Sequence, residues 1–208
     1  MFYQLEELKK AGLIRAIGIS NFGVTQIKEV IDTGVQVDVN EMPYNILSRA
    51  IELEIAPFCM QEGISLVGAM GLQQGLLTGK YLSAGEVPYN QAHSRHFANA
   101  RGNGTSRHGS EGEETAVFAI LATLRAMAKE LNFGMDQLSI AWLLAKPFLS
   151  ATLVGSRSIE QLKKNIAACT ITLDQDIIAE IDRISLPLLH KLGPSADYYE
   201  NPANSRIY

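Results

Sequence analysis

Residues 15–22 read Arg-Ala-Ile-Gly-Ile-Ser-Asn-Phe. Residues 15–19 are mostly apolar and lie between Gly12 and the polar pair Ser20-Asn21, which predicts a short buried strand. In a barrel of alternating strands and helices, the carboxyl ends of the strands face the active site. Ser20 and Asn21 would therefore offer a hydroxyl and a carboxamide to a ligand at that end.

Strand-like apolar runs alternate with helical patterns along the rest of the chain. The predicted strands cover residues 15–19, 35–39, 64–67 and 151–154, and the predicted helices cover residues 2–10, 25–32, 51–62, 74–81, 113–131, 135–145, 158–168 and 174–184. This alternation favours a parallel sheet with right-handed crossovers. A complete eight-unit barrel needs about 250 residues, whereas this chain has 208.

The predicted fold is therefore α/β: a partial (β/α) barrel of the TIM type, with about four strand–helix units plus extra helices. We expect a single domain over residues 1–208, with a polar loop at 85–112 and an irregular tail at 187–208. The strands at 15–19 and 151–154 would be open sheet edges, and the inward face would include Ile17, Ile19 and Leu153. Such exposure predicts self-association.

The composition excludes several classes of protein. A net charge of −4 with mixed signs argues against a nucleic-acid partner, and no apolar run approaches the ~18 residues of a membrane span. The first four residues run straight into charged ones, so no secretory signal is visible. Cys59 and Cys169 are far apart, which predicts buried free thiols in a cytoplasmic protein.

The stretch Gly155-Ser156-Arg157 ends the last predicted strand and precedes a helix. Backbone N–H groups at a helix N-terminus bind anions, and an adjacent guanidinium pairs with phosphate. The alternative is an ordinary tight turn in which Ser158 caps the helix and Glu160 lies in its first turn. These residues alone leave both interpretations open.

Three stretches, in order and at the expected spacings, resemble motifs of the aldo-keto reductase family. Residues 8–22 resemble the Leu-Lys-Lys-x-Gly-x-Ile-Arg-x-Ile-Gly-x-Ser-Asn-Phe run that leads from the fourth helix into the fifth strand of the family's barrel. Residues 72–80 resemble the segment after the seventh strand, and residues 154–165 resemble the family's adenosine-phosphate loop. The resemblance covers essentially the whole chain and implies the second half of a barrel.

The resemblance also implies an oxidoreductase that reduces small aldehydes or ketones to alcohols, with NADP(H) as cofactor and NAD(H) as the alternative. It assigns Ser156 and Arg157, after Gly155, to the 2′-phosphate of NADPH, and it places Gln161 and Asn165 against the adenine.

By the same resemblance, Ser20 and Asn21 bind the nicotinamide carboxamide, and the backbone from Leu72 to Gly75 wraps the pyrophosphate. Glu41 stands where the family usually has Gln. A carboxylate can accept a hydrogen bond from the carboxamide but cannot donate one.

Two further departures from the family pattern concern the chemistry. Ala69 begins the run that usually supplies an aromatic ring stacked on the nicotinamide, a contact worth ~0.5–1.5 kcal/mol beyond its area. The family's catalytic Asp, Tyr, Lys and His belong to segments that would precede these motifs, and Tyr44 matches only an ordinary Tyr-Asn turn. No catalytic or metal-binding residue is therefore predicted. The chain is either the cofactor half of an enzyme or a non-catalytic nucleotide-binding or scaffold protein.

The histidines of the polar loop allow three interpretations. His93, His96 and His108 have no cysteine nearby. The nearest carboxylate is that of Glu111, which disfavours a metal site. A mobile, solvated loop is the second interpretation. A loop that covers the substrate is the third, and it rests on the resemblance. Elsewhere, a surface position is expected for His190 and a core position for Trp142.

Overall fold

The computed structural model describes residues 2–208. At its centre lies one parallel sheet whose order follows the chain. The four strands are β1 (Gly18–Ser20), β2 (Val39–Pro43), β3 (Ser65–Ala69) and β4 (Leu149–Thr152). Each strand pairs in parallel with the next one in sequence. All carboxyl ends therefore lie at one edge, and β1 and β4 are the outer strands, as predicted.

The described residues contain seven α-helices. These are α1 (Phe2–Lys10), α2 (Val24–Ile31), α3 (Ile55–Gln61), α4 (Glu114–Glu130), α5 (Met135–Leu144), α6 (Ile159–Ala168) and α7 (Gln175–Leu192). Short 3₁₀ turns occupy Ala50–Glu52, Gln73–Thr78, Ala84–Glu86, Tyr89–Gln91, Asn99–Gly102 and Pro202–Asn204. No helix among residues 2–208 combines the length and apolarity that a membrane crossing needs.

Helix α6 begins where the sequence predicts it. The Ser158 hydroxyl accepts a hydrogen bond from the backbone N–H of Gln161 at 3.2 Å, so Ser158 is the predicted N-cap. The cap satisfies one of the otherwise unpaired N–H groups of the first turn and fixes the direction in which the helix leaves β4.

The two faces of the sheet differ in burial. Ile19, Asn40 and Leu66 form one row across the strands and are buried. The adjacent row, Ser20 and Glu41 with Val67, is exposed or half-buried. We call the face that carries this second row the open face.

The expectation that Ile17 and Ile19 lie on the inward face is wrong. Both are buried in the core, together with Ile27 and Val30 of α2. Side chains alternate between the two faces of a strand, so these isoleucines point away from the open face. Leu153, by contrast, is 51% exposed, as expected.

The predicted strand at 35–39 is also wrong. Val35 and Val37 are buried, but pairing with β1 begins only at Val39, opposite Gly18. The alternation of apolar residues therefore indicates which side chains are buried. Burial begins before Val39, where pairing with the neighbouring strand starts. For the same reason Asn40 and Glu41 lie inside β2 rather than after its end. Strand β4 likewise ends two residues earlier than predicted.

The irregular tail begins later than predicted. Helix α7 continues through Pro187 to Leu192, because Leu188 and Leu192 are buried and their packing outweighs the missing proline N–H. Gly193, with φ of 73°, then ends the helix in a backbone conformation that favours glycine.

The expectation that both cysteines are buried holds for Cys59 and is wrong for Cys169, which is exposed. Trp142 is fully buried and His190 is exposed, as predicted.

A buried ionic cluster fastens α7 to the rest of the fold. The Asp182 carboxylate accepts hydrogen bonds from the Trp142 indole N–H at 2.9 Å and from the Lys146 ammonium at 2.7 Å. Arg49 donates to the Asp182 carbonyl at 2.7 Å and pairs with Glu52. Lys146 and Arg49 are both more than nine-tenths buried, so each depends on these partners for compensation of its charge.

We predict that Asp182→Ala lowers the free energy of unfolding by roughly 2–3 kcal/mol, somewhat less than the 3–5 kcal/mol of a fully buried pair. The variant leaves the Lys146 ammonium and the Trp142 N–H without their acceptor. Urea denaturation measures the change. Glu180→Ala on the same helix, which breaks an exposed pair with Arg183, is the control and should leave the transition unchanged. Equal effects of the two substitutions would contradict the assignment.

Candidate functional site

The end of β1 brings three of the predicted residues together. Ser20 is the last residue of β1, and its Cα pairs with that of Glu41 in β2. Asn21 has a left-handed backbone with φ of 60°, and its N–H donates to the Glu41 carbonyl at 2.9 Å. The Asn21 amide nitrogen donates to the Ser20 hydroxyl at 2.9 Å. Ser20 and Asn21 are exposed, so both remain accessible to a ligand at the carboxyl edge of the sheet.

The start of α6 brings together a second group. The Asn165 amide donates to the Ser156 hydroxyl at 2.9 Å, and the Arg157 N–H donates to the Gln161 amide oxygen at 2.7 Å. Gly155, Ser156 and Arg157 are exposed. Within residues 2–208 the Arg157 guanidinium makes neither an ion pair nor a hydrogen bond. The Ser158 cap confirms the turn interpretation, and anion binding at Arg157 stays a prediction.

This group suits a phosphate through its side chains. The backbone N–H groups of Arg157 and Gln161 already have acceptors, so they are not free donors. The guanidinium offers a bidentate charged donor, and the N-terminus of the ten-residue helix α6 adds a favourable dipole.

The helix predicted at 74–81 after β3 forms only in part: a 3₁₀ turn covers Gln73–Thr78, and Gln74 and Gly75 within it are not helical. Met70, Gln73, Gln74 and Gly75 all have positive φ, between 43° and 93°. A left-handed backbone costs roughly 1–2 kcal/mol for each non-glycine residue, so the surroundings must hold residues 70–75 in place. Leu72 is half-buried against the core, which is one such constraint.

A cavity of about 520 Å³ lies beside this run. Its wall is formed by side chains of the run, of the 85–112 loop and of the tail: Gln74, Tyr89, Asn90, His93, Thr105, Arg107 and Tyr199. The Tyr199 hydroxyl lies 3.5 Å from the Met70 sulfur, and the Tyr199 ring is 5.2 Å from the His93 ring. No motif in the sequence predicts Tyr199 here. The signal is an aromatic pair, Tyr198-Tyr199, in an otherwise polar tail.

The interpretation of residues 85–112 as a solvated loop is wrong for their central part. Arg95 and His96 are buried together with Phe97. The Arg95 N–H donates to the Tyr198 carbonyl at 2.7 Å, and its guanidinium donates to the Ser195 carbonyl at 2.8 Å. The tail therefore fixes the loop. Among residues 2–208 no group of three or more His, Cys, Asp or Glu side chains is arranged to hold a metal ion.

The tyrosines nearest the site are poor proton donors at neutral pH. Burial raises the pKa of Tyr199 to about 12 and raises the pKa values of Tyr44 and Tyr198 as well. An effective general acid has a pKa near the working pH.

Comparison with known sequences places these features in context. The profile of the Aldo/keto reductase family matches residues 1–186. Protein tas of Escherichia coli is 33% identical over 187 residues, which are 86% of this chain and 50% of that protein. The NADH-specific methylglyoxal reductase of Escherichia coli is 32% identical over 169 residues, 81% of this chain and 48% of that protein. The chain spans about half the length of these relatives.

A solved structure gives the same answer for the fold. A thermostable aldo-keto reductase, crystallised with the inhibitor epalrestat, matches with a TM-score of 0.63 at 24% identity, over 88% of this chain and 53% of that one. The predicted α/β fold with a parallel four-stranded sheet, matching part of a TIM-type barrel, is confirmed.

We predict that His96 makes the fold sensitive to acid. Burial, reinforced by nearby Arg95 and His108, lowers the pKa of His96 to about 4, against the opposing hydrogen bond to the Leu47 carbonyl. A histidine in an unfolded chain has a pKa of about 6.5. Below that pH the unfolded state therefore binds a proton that the folded state does not bind until the pH approaches 4. Stability should fall by roughly 1.4 kcal/mol per pH unit between pH 6.5 and 4.

Urea denaturation at pH 7 and pH 5 tests this prediction. The wild type should lose about 2 kcal/mol more than His96→Gln over that interval. His190→Gln removes an exposed histidine and should keep the wild-type dependence. An unchanged pH dependence in His96→Gln would contradict the prediction.

Proposed function

The chain belongs to the aldo/keto reductase family of oxidoreductases, and we propose that it supplies the NADP(H)-binding half of a carbonyl reductase. When bound, the nicotinamide supplies the hydride that converts an aldehyde or ketone to an alcohol. The residues described above bind and orient the cofactor. Reduction itself is proposed for the whole protein, because the chain spans about half of its relatives.

The observation that carries this proposal is the exposed Arg157 guanidinium at the start of α6. Ser156 lies beside it, held by Asn165, and the carbonyl oxygen of the Asn165 amide stays available to an adenine amino group. The Gln161 amide nitrogen is similarly available, since only its oxygen is engaged by Arg157. The donor set fits an adenosine 2′-phosphate, with NAD(H) as the alternative cofactor.

The nicotinamide end is proposed at the carboxyl end of β1. A carboxamide accepts from the Ser20 hydroxyl or the Asn21 amide, and it donates to the Glu41 carboxylate. The backbone from Leu72 to Gly75 lies between the two ends along the edge of the sheet and is proposed to wrap the pyrophosphate.

A small polar carbonyl compound is the proposed substrate. The cavity beside residues 70–75 is lined by amide, hydroxyl and imidazole groups and by Arg107, which suit carbonyl and hydroxyl oxygens. Two relatives carry names that point to small aldehydes: a methylglyoxal reductase and an L-glyceraldehyde 3-phosphate reductase. We also propose that residues 1–208 act as a single domain in the cytoplasm, where unpaired thiols such as Cys59 and Cys169 persist.

We predict that NADP⁺ binds more tightly than NAD⁺ and that Arg157→Ala removes the difference. A charge-assisted pair worth about 1.5–3 kcal/mol corresponds to a 10- to 100-fold loss of NADP⁺ affinity. Calorimetric titration of both dinucleotides measures it. Lys163→Ala on the same exposed helix removes an equal charge and should change neither affinity. Equal binding of the two dinucleotides by the wild type would refute the assignment.

Self-association through the outer strands is the second expectation. Ile159, Leu162 and Ile166 form an apolar stripe on α6 and are 69%, 49% and 60% exposed, and Leu153 is 51% exposed. The outer edge of β4 carries no partner strand within residues 2–208.

We predict that the purified chain sediments as a dimer or larger species at micromolar concentration and that Ile166→Glu shifts it toward the monomer. A buried carboxylate in an apolar interface is strongly unfavourable. The matched control is Leu82→Glu, at an exposed position just before the 85–112 loop. It should not alter sedimentation. A monodisperse wild-type monomer would overturn the prediction.

A further inference from the structure

One amide side chain is hydrogen-bonded to both the beginning and the middle of the run at residues 70–75 that follows β3. The Asn45 amide nitrogen donates to the Met70 carbonyl at 3.1 Å and to the Gln73 side-chain oxygen at 2.8 Å. The Asn45 oxygen accepts from the Leu47 N–H at 3.0 Å, which fixes the orientation of the amide. Asn45 therefore sets the spacing between the beginning and the middle of the run.

The 85–112 loop supplies the second attachment through His96. Its Nε2 lies 2.9 Å from the Leu47 carbonyl. A carbonyl can only accept, so this nitrogen carries the proton. The Nδ1 atom is then an acceptor, and its single lone pair is shared between the Ser94 hydroxyl at 3.1 Å and the Gln73 amide nitrogen at 3.4 Å. Gln73 is thus held from both sides, by Asn45 through its oxygen and by His96 through its nitrogen.

These groups form a closed and dry network. Asn45, Ser48, Gln73 and His96 are each at most 3% exposed, and the Ser48 hydroxyl lies 3.4 Å from the Gln73 oxygen. We call these four residues the buried amide network. A buried polar network that is fully satisfied favours one arrangement, because any other leaves a donor or acceptor unpaired.

The network faces away from solvent, so it is unsuited to touch a ligand itself. The network instead acts on the backbone of residues 71–75, in which Gln73, Gln74 and Gly75 are left-handed and need an external constraint. Gln74, which follows Gln73 directly, is exposed and lines the cavity beside the run. A displacement of the buried Gln73 side chain would therefore also move the backbone of the exposed residue Gln74.

We propose that the buried amide network is a positioning device that holds the backbone of residues 71–75 in the shape that receives the diphosphate of the dinucleotide. This inference rests on the proposed cofactor site, and it adds four positioning residues from three separate segments. A pre-organised backbone binds a ligand more tightly because no ordering is required when the ligand arrives. Loss of the network should weaken contacts to the diphosphate and spare those of the Arg157 end.

Two probes separate these contributions. Adenosine 2′-phosphate reaches only the Arg157 end of the proposed site, whereas NADP⁺ also carries the diphosphate. The variants are His96→Leu, which removes both ring nitrogens, and Gln73→Asn, which tolerates a left-handed backbone but shortens the amide by one methylene. His96→Gln places a side-chain amide where the imidazole ring lies, so it can still form hydrogen bonds. It is the conservative variant that should rescue binding. Calorimetric titration of each variant with each probe gives the two affinities.

Each breaking variant should weaken NADP⁺ binding about 10-fold, the loss expected for one or two hydrogen bonds, and change adenosine 2′-phosphate binding less than 2-fold. His96→Gln should recover most of the NADP⁺ affinity. If His96→Leu fails to fold, Gln73→Asn and Ser48→Ala carry the same test.

Other results overturn the inference in distinguishable ways. Equal losses for the two probes would show that the network only stabilises the fold. Unchanged NADP⁺ binding in a folded variant would show that residues 71–75 need no such support. Wild-type binding of adenosine 2′-phosphate with no extra affinity for NADP⁺ would refute the positioning role and leave the Arg157 assignment intact. Binding of neither probe would refute the cofactor site itself.

Discussion

The hydrogen bond from the Asn45 amide to the Met70 carbonyl fixes where the chain goes when β3 ends. Backbone pairing between β2 and β3 continues as far as the bond from the Tyr44 N–H to the Ala69 carbonyl. The next carbonyl, that of Met70, has no strand partner. It accepts a turn hydrogen bond from the Gln73 backbone N–H at 2.8 Å, and the Asn45 amide adds a second donor. From that point the chain turns through the left-handed residues beside which the cavity, the loop and the tail are assembled.

The open face of the sheet can carry polar groups because the opposite face supplies the packing. Ile19 and Leu66 are buried beneath the helices, while Ser20 and Glu41 lie on the adjacent, more accessible row. Burial of apolar area contributes about 25 cal/mol per Å², and most of it here is on the helical side. The polar row is thus not required for packing of the core.

Local signals in the sequence were sufficient for most of the helices, and insufficient for the interrupted turn at Gln73–Thr78 and for strand register. The N-cap at Ser158 acts within one turn, so its position in the sequence locates α6. The alternation of Val35, Val37 and Val39 reports which side chains are buried, whereas the strand begins only where β1 offers a partner. Pro187 shows that a local stop signal can also mislead. Proline usually ends a helix, but the tertiary packing of Leu192 extends α7 past it.

The residues of the candidate site also differ in whether the sequence alone can predict them. Ser156 and Arg157 have exposed side chains next to the start of a helix, so a short motif is enough to propose them as site residues. The partners of Gln73 lie 23 and 28 residues away along the chain, and a histidine in a polar loop gives no sign that it is buried. In the proposed site the exposed guanidinium is screened by salt within about 10 Å and can be exchanged without disturbing the fold. The backbone of residues 71–75 depends on buried partners, so this part of the site can change only together with the loop and strand end that hold it.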